Sequence, residues 1–293
     1  MSEVDARPEG ARVTGAIVGS STGPQPVAWG ERDVMLYAIG VGAGLGDPAR
    51  ELMFTTENSS GLALNALPSF LTVLAAGLPP AMATLDIGRF LHIGQSIELT
   101  RPIPASGHGS MESKVVEVLD KGSGAIVSYE GILHADDGGA EPIGRIRSSI
   151  FVRGGGGFGG PRGSSTAATV PSRPPDQRVE YASRPEQALI YRLSGDRHRL
   201  HSDPRFAHEC GFERPILHGL CTYGYACRAL IEGAAAGNPT HLHAMDARFA
   251  KPVYPGQTLT TEIWVGANDK CFFRTLNETG EAVLDGGTAR ITA

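Results

Sequence analysis

Cysteine is scarce in this chain: four residues in 293, Cys210, Cys221, Cys227 and Cys271, with no Cys-x-x-Cys pair. That excludes a disulfide framework and a cysteine-based zinc site, and leaves reduced thiols packed as small apolar side chains. No apolar run reaches the roughly 18 residues of a membrane-spanning helix, and the N-terminal MSEVDARPEGAR lacks the basic and apolar regions of a secretion signal. The expectation is a soluble, cytoplasmic protein with no membrane partner. Charge of one sign is never concentrated: 26 basic and 31 acidic residues give a net charge of −5 without a basic stripe, which argues against nucleic acid as a partner.

What is present is enough apolar sequence, 41%, for one large domain or two smaller ones. Residues 1–24 are rich in Gly, Ser, Pro and charge without periodicity and are expected to be a flexible lead-in. Trp29 to Gly42 suits a short helix ending in a turn, and Leu52 to Thr56 reads as a short strand. Leu67 to Leu78 is apolar on nearly every face, which predicts a wrapped helix stopped by Pro79 and Pro80. From Phe90 to Val152 four runs alternate, as in Met111, Ser113, Val115, Glu117 and Leu119, and predict an antiparallel meander. Residues 154–175 have the Gly, Pro and Ser content of a linker.

The second half repeats the first. DVMLYAIGVG around Tyr37 returns as QALIYRLSGD around Tyr191, and LTRPIPASGHGSMESKVVEV from Leu99 returns as FAKPVYPGQTLTTEIWVGA from Phe249. The fold class is therefore α+β, built of two repeats, 25–153 and 176–293, each an antiparallel sheet wrapped around a central helix. The chemistry is not duplicated. Where the second half carries Asp196 the first carries Gly42, and near the place of His201 it has only Leu45-Gly46-Asp47-Pro48. The first half is expected to shape a substrate cavity and the second to react.

Tyr191 to Arg228 holds the densest chemistry. Asp196, His198, His201 and Asp203 fall within eight residues and precede a long apolar helix that begins near Gly219. Two imidazoles and two carboxylates can form a metal site, a solvated turn or an acid/base pair. Gly42-Ala43-Gly44-Leu45-Gly46 lacks the spacing of a dinucleotide loop, and Gly154 to Gly160 lacks the Lys-Ser/Thr of a phosphate loop. His241 and His243 share one face of an expected strand, where a hydrogen-bonded pair is the ordinary reading.

YRLSGDRHRLHSDPRFA followed by GFERPILHGLCTYGYA resembles the hydratase 2 signature of the MaoC-like (R)-specific enoyl-CoA hydratases, and is similar to the hydratase domain of peroxisomal multifunctional enzyme type 2 and its actinobacterial double-hotdog relatives. DVMLYAIGVGAG, VLDKGSG and ARFAKPVYPGQTL extend the likeness over nearly the whole chain. The resemblance implies a double hotdog and reversible syn addition of water to a trans-2-enoyl-CoA, giving the (3R)-3-hydroxyacyl-CoA. It assigns Asp196 and His201 to the activation of water, and no metal or redox cofactor is expected. Hydration across a conjugated C=C also needs donors for the enolate charge on the thioester oxygen, and the N–H of Gly219 at a helix N-terminus suits that task.

The same resemblance gives Lys121 a contact with the CoA moiety, places Phe249 in the site lining, and matches His92 to a family His-Gly pair, although Ile93 follows it here. Inside the signature the family Asn-Pro is His198-Arg199, which removes an amide near the water and a stiffening proline. His198 is kept among the substrate-binding positions. Alternatives are an acyl carrier protein in place of CoA, a hotdog thioesterase, and a non-catalytic thioester-binding subunit. The expected assembly is a homodimer.

Overall fold

The computed structural model describes residues 13–163 and 168–292. The first half comprises β1 (Gln25–Trp29), α1 (Glu31–Gly40), α2 (Leu52–Thr55), a 3-10 turn (Pro68–Val73), α3 (Pro80–Ala83), and β2 (Phe90–Leu99), β3 (Gly107–Asp120), β4 (Gly124–Ala135) and β5 (Gly144–Arg153). The second half comprises β6 (Gln177–Ala182), α4 (Gln187–Tyr191), α5 (Pro204–Glu209), α6 (Gly219–Ala234), β7 (Leu242–Phe249), β8 (Thr258–Val265), β9 (Lys270–Leu276) and β10 (Ala282–Ile291).

The ten strands among the described residues form one antiparallel sheet in the order β1-β3-β4-β5-β2-β7-β10-β9-β8-β6. The order β1-β3-β4-β5-β2 matches β6-β8-β9-β10-β7 strand for strand, so the duplication seen in the letters is a duplication of topology. The two halves join where β2 pairs with β7, from Gly94 opposite Arg248 to Glu98 opposite Ala244. No helix among the described residues is long and apolar enough to cross a membrane.

The central helix of the second half is α6, in which every residue from Cys221 to Ile231 is buried. Such a helix has no solvent face because the sheet and the first half enclose it. Its counterpart in the first half departs from expectation. Leu67 to Leu78 is not a full helix; only Pro68–Val73 coils, as a 3-10 turn, and the chain then runs irregularly to Pro79. The run is interrupted by Gly77 in a left-handed conformation (φ 85) and closed by two prolines that cannot donate to a helix.

Four other expectations are corrected. Leu52–Thr55 is a helical turn rather than a strand. It is pinned by Glu51, left-handed at φ 58, which is held by the buried guanidinium of Arg228 (Nε to Oε1, 2.8 Å). Residues 13–24 are not a free lead-in: Val13 is buried, and Ser21 bridges to Lys114 at the edge of β3. Residues 1–12 lie outside the described residues. The segment after β5 is packed over its first residues, where the Asp120 carboxylate accepts the N–H groups of Gly157 (2.9 Å) and Gly159 (2.7 Å). These bonds, with that from Gly122, hold Asp120 down at about 2. Of the cysteines, three are buried but Cys210 is exposed.

Candidate active site

The site forms where α4 leads into the loop that precedes α6. A 3-10 turn, Arg192–Ser194, ends at Gly195, whose φ of 134 only glycine adopts readily, and this reversal presents Asp196 to solvent. A second 3-10 turn, Arg199–His201, follows. The Asp196 carboxylate accepts the backbone N–H of His198 (3.0 Å), which orients the acid toward the turn that carries His201.

His201 is fixed from behind. Its Nδ1 lies 2.9 Å from the carbonyl of Ile216, and because a carbonyl can only accept, Nδ1 carries the proton and Nε2 is left with a free lone pair. Burial lowers its pKa from the ordinary 6.5, the Ile216 and Asp196 contacts oppose that shift, and His198 adds to it. His201 is therefore a neutral base at neutral pH.

A third residue converges that the sequence reading did not assign, His218. Its ring stacks on His201 with centroids 3.7 Å apart and planes 25° from parallel, and Tyr191 packs at 4.9 Å. Nε2 of His218 donates to the backbone carbonyl of Asp196 (3.2 Å). The signal available in the sequence was its place immediately before Gly219, at the N-cap of the buried helix.

One ligand atom each from Asp196, His201 and His218 lies within 4.8 Å of the others, so a metal must be considered. The stacking argues against one. Metal–imidazole bonds lie in the ring plane, and the lone pairs of two nearly parallel stacked rings do not converge on a point about 2 Å from both. The four-residue group read from the sequence also divides. Asp203 caps α5 through Arg205 N (3.0 Å) and pairs with Arg199 (2.8 Å), and His198 accepts from Leu200 N through Nδ1 (3.4 Å).

Gly219 opens α6, so its N–H has no intrahelical acceptor. A Cβ at this position would sit 3.0 Å from the ring of Phe249, so any side chain here would have to displace that ring by a few tenths of an ångström. Phe249, at the end of β7, packs in turn on His92 of β2 with centroids 4.8 Å apart. His92 donates through Nε2 to Gly94 O (3.0 Å); desolvation pulls it down to about 4, and Asp196 is among the groups that oppose the shift. The structure thus gathers Asp196, His201, Gly219, Phe249 and His92 at the junction of the two halves.

Lys121 is not part of that group. It lies in the β3–β4 turn, separated from β2 by β5, with its ammonium on the carbonyl of Arg162. His198 stands at the edge, 6.2 Å from His201 and edge-on to Phe206 at 5.5 Å, while the Arg199 guanidinium lies 4.8 Å over the same Phe206 ring. The His241–His243 pair does not form on a strand: His241 ends a 3-10 turn and contacts Asn238, and only His243 belongs to β7, where it contacts Thr292.

A duplicated sheet around a buried helix, with a neutral imidazole and a carboxylate beside a free helix N-terminus, is an arrangement chemically suited to proton transfer next to a developing negative charge. Residues 28–154 match the family described as MFE-2 hydratase 2 N-terminal domain, and residues 166–286 match that described as MaoC like domain. The chain is 44% identical over 280 residues to 3-hydroxyacyl-thioester dehydratase Y of Mycobacterium tuberculosis, covering 94% of this chain and 93% of that one. It is 38% identical to enoyl-CoA hydratase ChsH3 of the same organism, covering 84% and 87%. The crystal structure of a MaoC-like dehydratase from Phytophthora capsici superposes with a TM-score of 0.84 at 30% identity, covering 96% and 98%.

The chain belongs to the MaoC-like hydratase 2 family, and its fold is the double hotdog. It is a hydro-lyase of the enoyl-CoA hydratase and 3-hydroxyacyl-thioester dehydratase type.

Proposed function

We propose that the protein catalyses the reversible syn hydration of a trans-2-enoyl-CoA to the (3R)-3-hydroxyacyl-CoA, with Asp196 and His201 as the proton-transfer pair and the Gly219 N–H as oxyanion donor. The observation that carries this reading is the convergence of the Asp196 carboxylate and a ring nitrogen of His201 within 4.8 Å, beside the start of α6. A water held between the two loses a proton as its oxygen adds to C3. The π electrons pass to the thioester oxygen, where the Gly219 N–H and the positive end of the α6 dipole meet the charge. The same pair returns a proton to C2 from the same face, so both parts of the water arrive syn. No step requires a metal or redox group.

The first half supports a role in holding the acyl chain. Beside its central turn runs a groove lined by Trp29, Leu36, Phe70 and Leu193 together with Asp33 and Ser194. That groove shares Leu36 and Leu193 with a second one reaching Arg197, next to Asp196. The resemblance supports a CoA carrier, with an acyl carrier protein as the second reading, and a homodimeric assembly. The test is the loss of enoyl-thioester absorbance when protein is added to a trans-2-enoyl-CoA, followed by chiral analysis of the product. An unchanged absorbance, or a (3S) product, overturns the proposal. Comparison of one acyl group on CoA and on carrier protein decides the carrier.

A further inference from the structure

His218 makes two contacts that share one property: each holds a group the reaction depends on. Its ring face lies 3.7 Å from that of His201, and its Nε2–H binds the backbone oxygen of Asp196 at 3.2 Å. It is 1% exposed and is backed by Tyr191, which is equally buried at 1%. In sequence it is bonded to Gly219, and its own carbonyl accepts from Cys221 and Thr222, the first bonds of α6.

We propose that His218 is the positioning residue of this site: stacking fixes the plane of the His201 imidazole, the Nε2–H fixes the Asp196 loop, and the peptide link to Gly219 places both relative to the oxyanion donor. The inference rests on the catalytic reading of Asp196 and His201 given above. Its physical basis is that proton transfer and oxyanion stabilisation demand placement to within fractions of an ångström, whereas Asp196 is on an exposed loop. A rigid helix N-terminus is a better reference than that loop. An aromatic ring is suited to this role because an imidazole can turn about its Cβ–Cγ bond unless its face is covered.

The electrostatics agree. The groups that face His218 are His201, Asp196, Arg192 and Tyr191, and desolvation with the neighbouring His201 brings its pKa down to about 3. A neutral His218 can lie against His201 when His201 becomes an imidazolium without opposing that charge. The groups that face His201 are Asp196, His198 and His218.

The two contacts can be separated by substitution. His218→Phe keeps a stacking ring and loses the donor, His218→Gln keeps a donor and loses the stack, and His218→Ala loses both. With a trans-2-enoyl-CoA, the Phe and Gln variants are expected to lose about tenfold or more in kcat and the Ala variant more, with KM within about threefold of wild type in each. In the pH profile of kcat/KM, the acid limb should move to higher pH in His218→Ala, where water reaches His201, and stay in place in His218→Phe. A residue that only filled the core would lower thermal stability without this split.

Folded His218 variants with kcat within about twofold of wild type and an unmoved acid limb overturn the inference. So does failure of all three variants to fold, which would make His218 a core residue. Asp196→Asn and His201→Ala are measured alongside: if they retain turnover, the catalytic reading itself fails, whereas inactive controls with normal His218 variants remove only the role of His218.

Discussion

The phenol of Tyr225 fills the space that a side chain at residue 42 would need: a Cβ on Gly42 would lie 2.3 Å from Tyr225 Oη. Gly42 is the first-half counterpart of Asp196, so the symmetry-related site is physically closed. Tyr225 is fixed there by donation to Gln187 Oε1 (3.0 Å), and Gln187 donates to Gly40 O (2.6 Å).

Gly42→Asp should therefore create no second active site. With φ at 84 and the overlap with Tyr225, it should cost about 2 to 4 kcal/mol of stability, read by urea denaturation. Wild-type stability in this variant would show that Tyr225 moves aside freely.

Asp196→Asn and His201→Ala should each reduce kcat for hydration by about 10² to 10⁴-fold with thioester affinity retained, because each removes a proton-transfer group. The double variant should be little worse than the worse single, since groups acting on one water are not additive. Near-normal turnover in either single variant would remove that residue from the mechanism.

Stability should fall in acid. His218 is held at about 3 in the folded chain against about 6.5 when unfolded, so below pH ~6.5 the unfolded chain takes up a proton that the folded chain refuses. This contribution is complete above that pH and is lost as pH falls toward about 3, with a slope of at most ~1.4 kcal/mol per pH unit. Urea titrations at pH about 7, 6 and 5 measure it, and His218→Gln should be less acid-sensitive than wild type. Equal slopes in the two proteins would assign the acid loss to other groups.

His198 and Arg199 both pack on Phe206, one edge-on and the other across its face. The replacement of the family Asn-Pro by these two residues should therefore behave as a coupled pair. His198→Asn alone should impair kcat/KM, and the double variant with Arg199→Pro should depart from additivity by more than about 0.5 kcal/mol. Strict additivity with an unchanged pH profile would leave His198 a bystander.

Chelator treatment should leave hydration unchanged, and elemental analysis should find no stoichiometric zinc or iron, because the stacked rings of His201 and His218 do not aim at a common point. One equivalent of metal, with activity lost on its removal, would reverse that expectation.

The duplication, the four-strand meander of the first half and the loop that carries Asp196 and His201 were legible in the letters alone, whereas the edge strands β1 and β6 were not. Alternation, turn residues and repeated letters are local properties, and they fix which face of each segment seeks the core wherever that segment is placed. The sequence did not determine the shortened turn at Pro68–Val73, because an apolar run reads alike as a long helix or a broken one until Gly77 and the two prolines take their conformations. Tertiary structure alone brought His218 onto His201, Tyr225 into the place of a first-half acid, and Arg228 to Glu51 across 177 residues of chain. The last two contacts cross between the halves and the first joins an irregular loop to the helix after it, and none of the three has a periodic signature in the sequence.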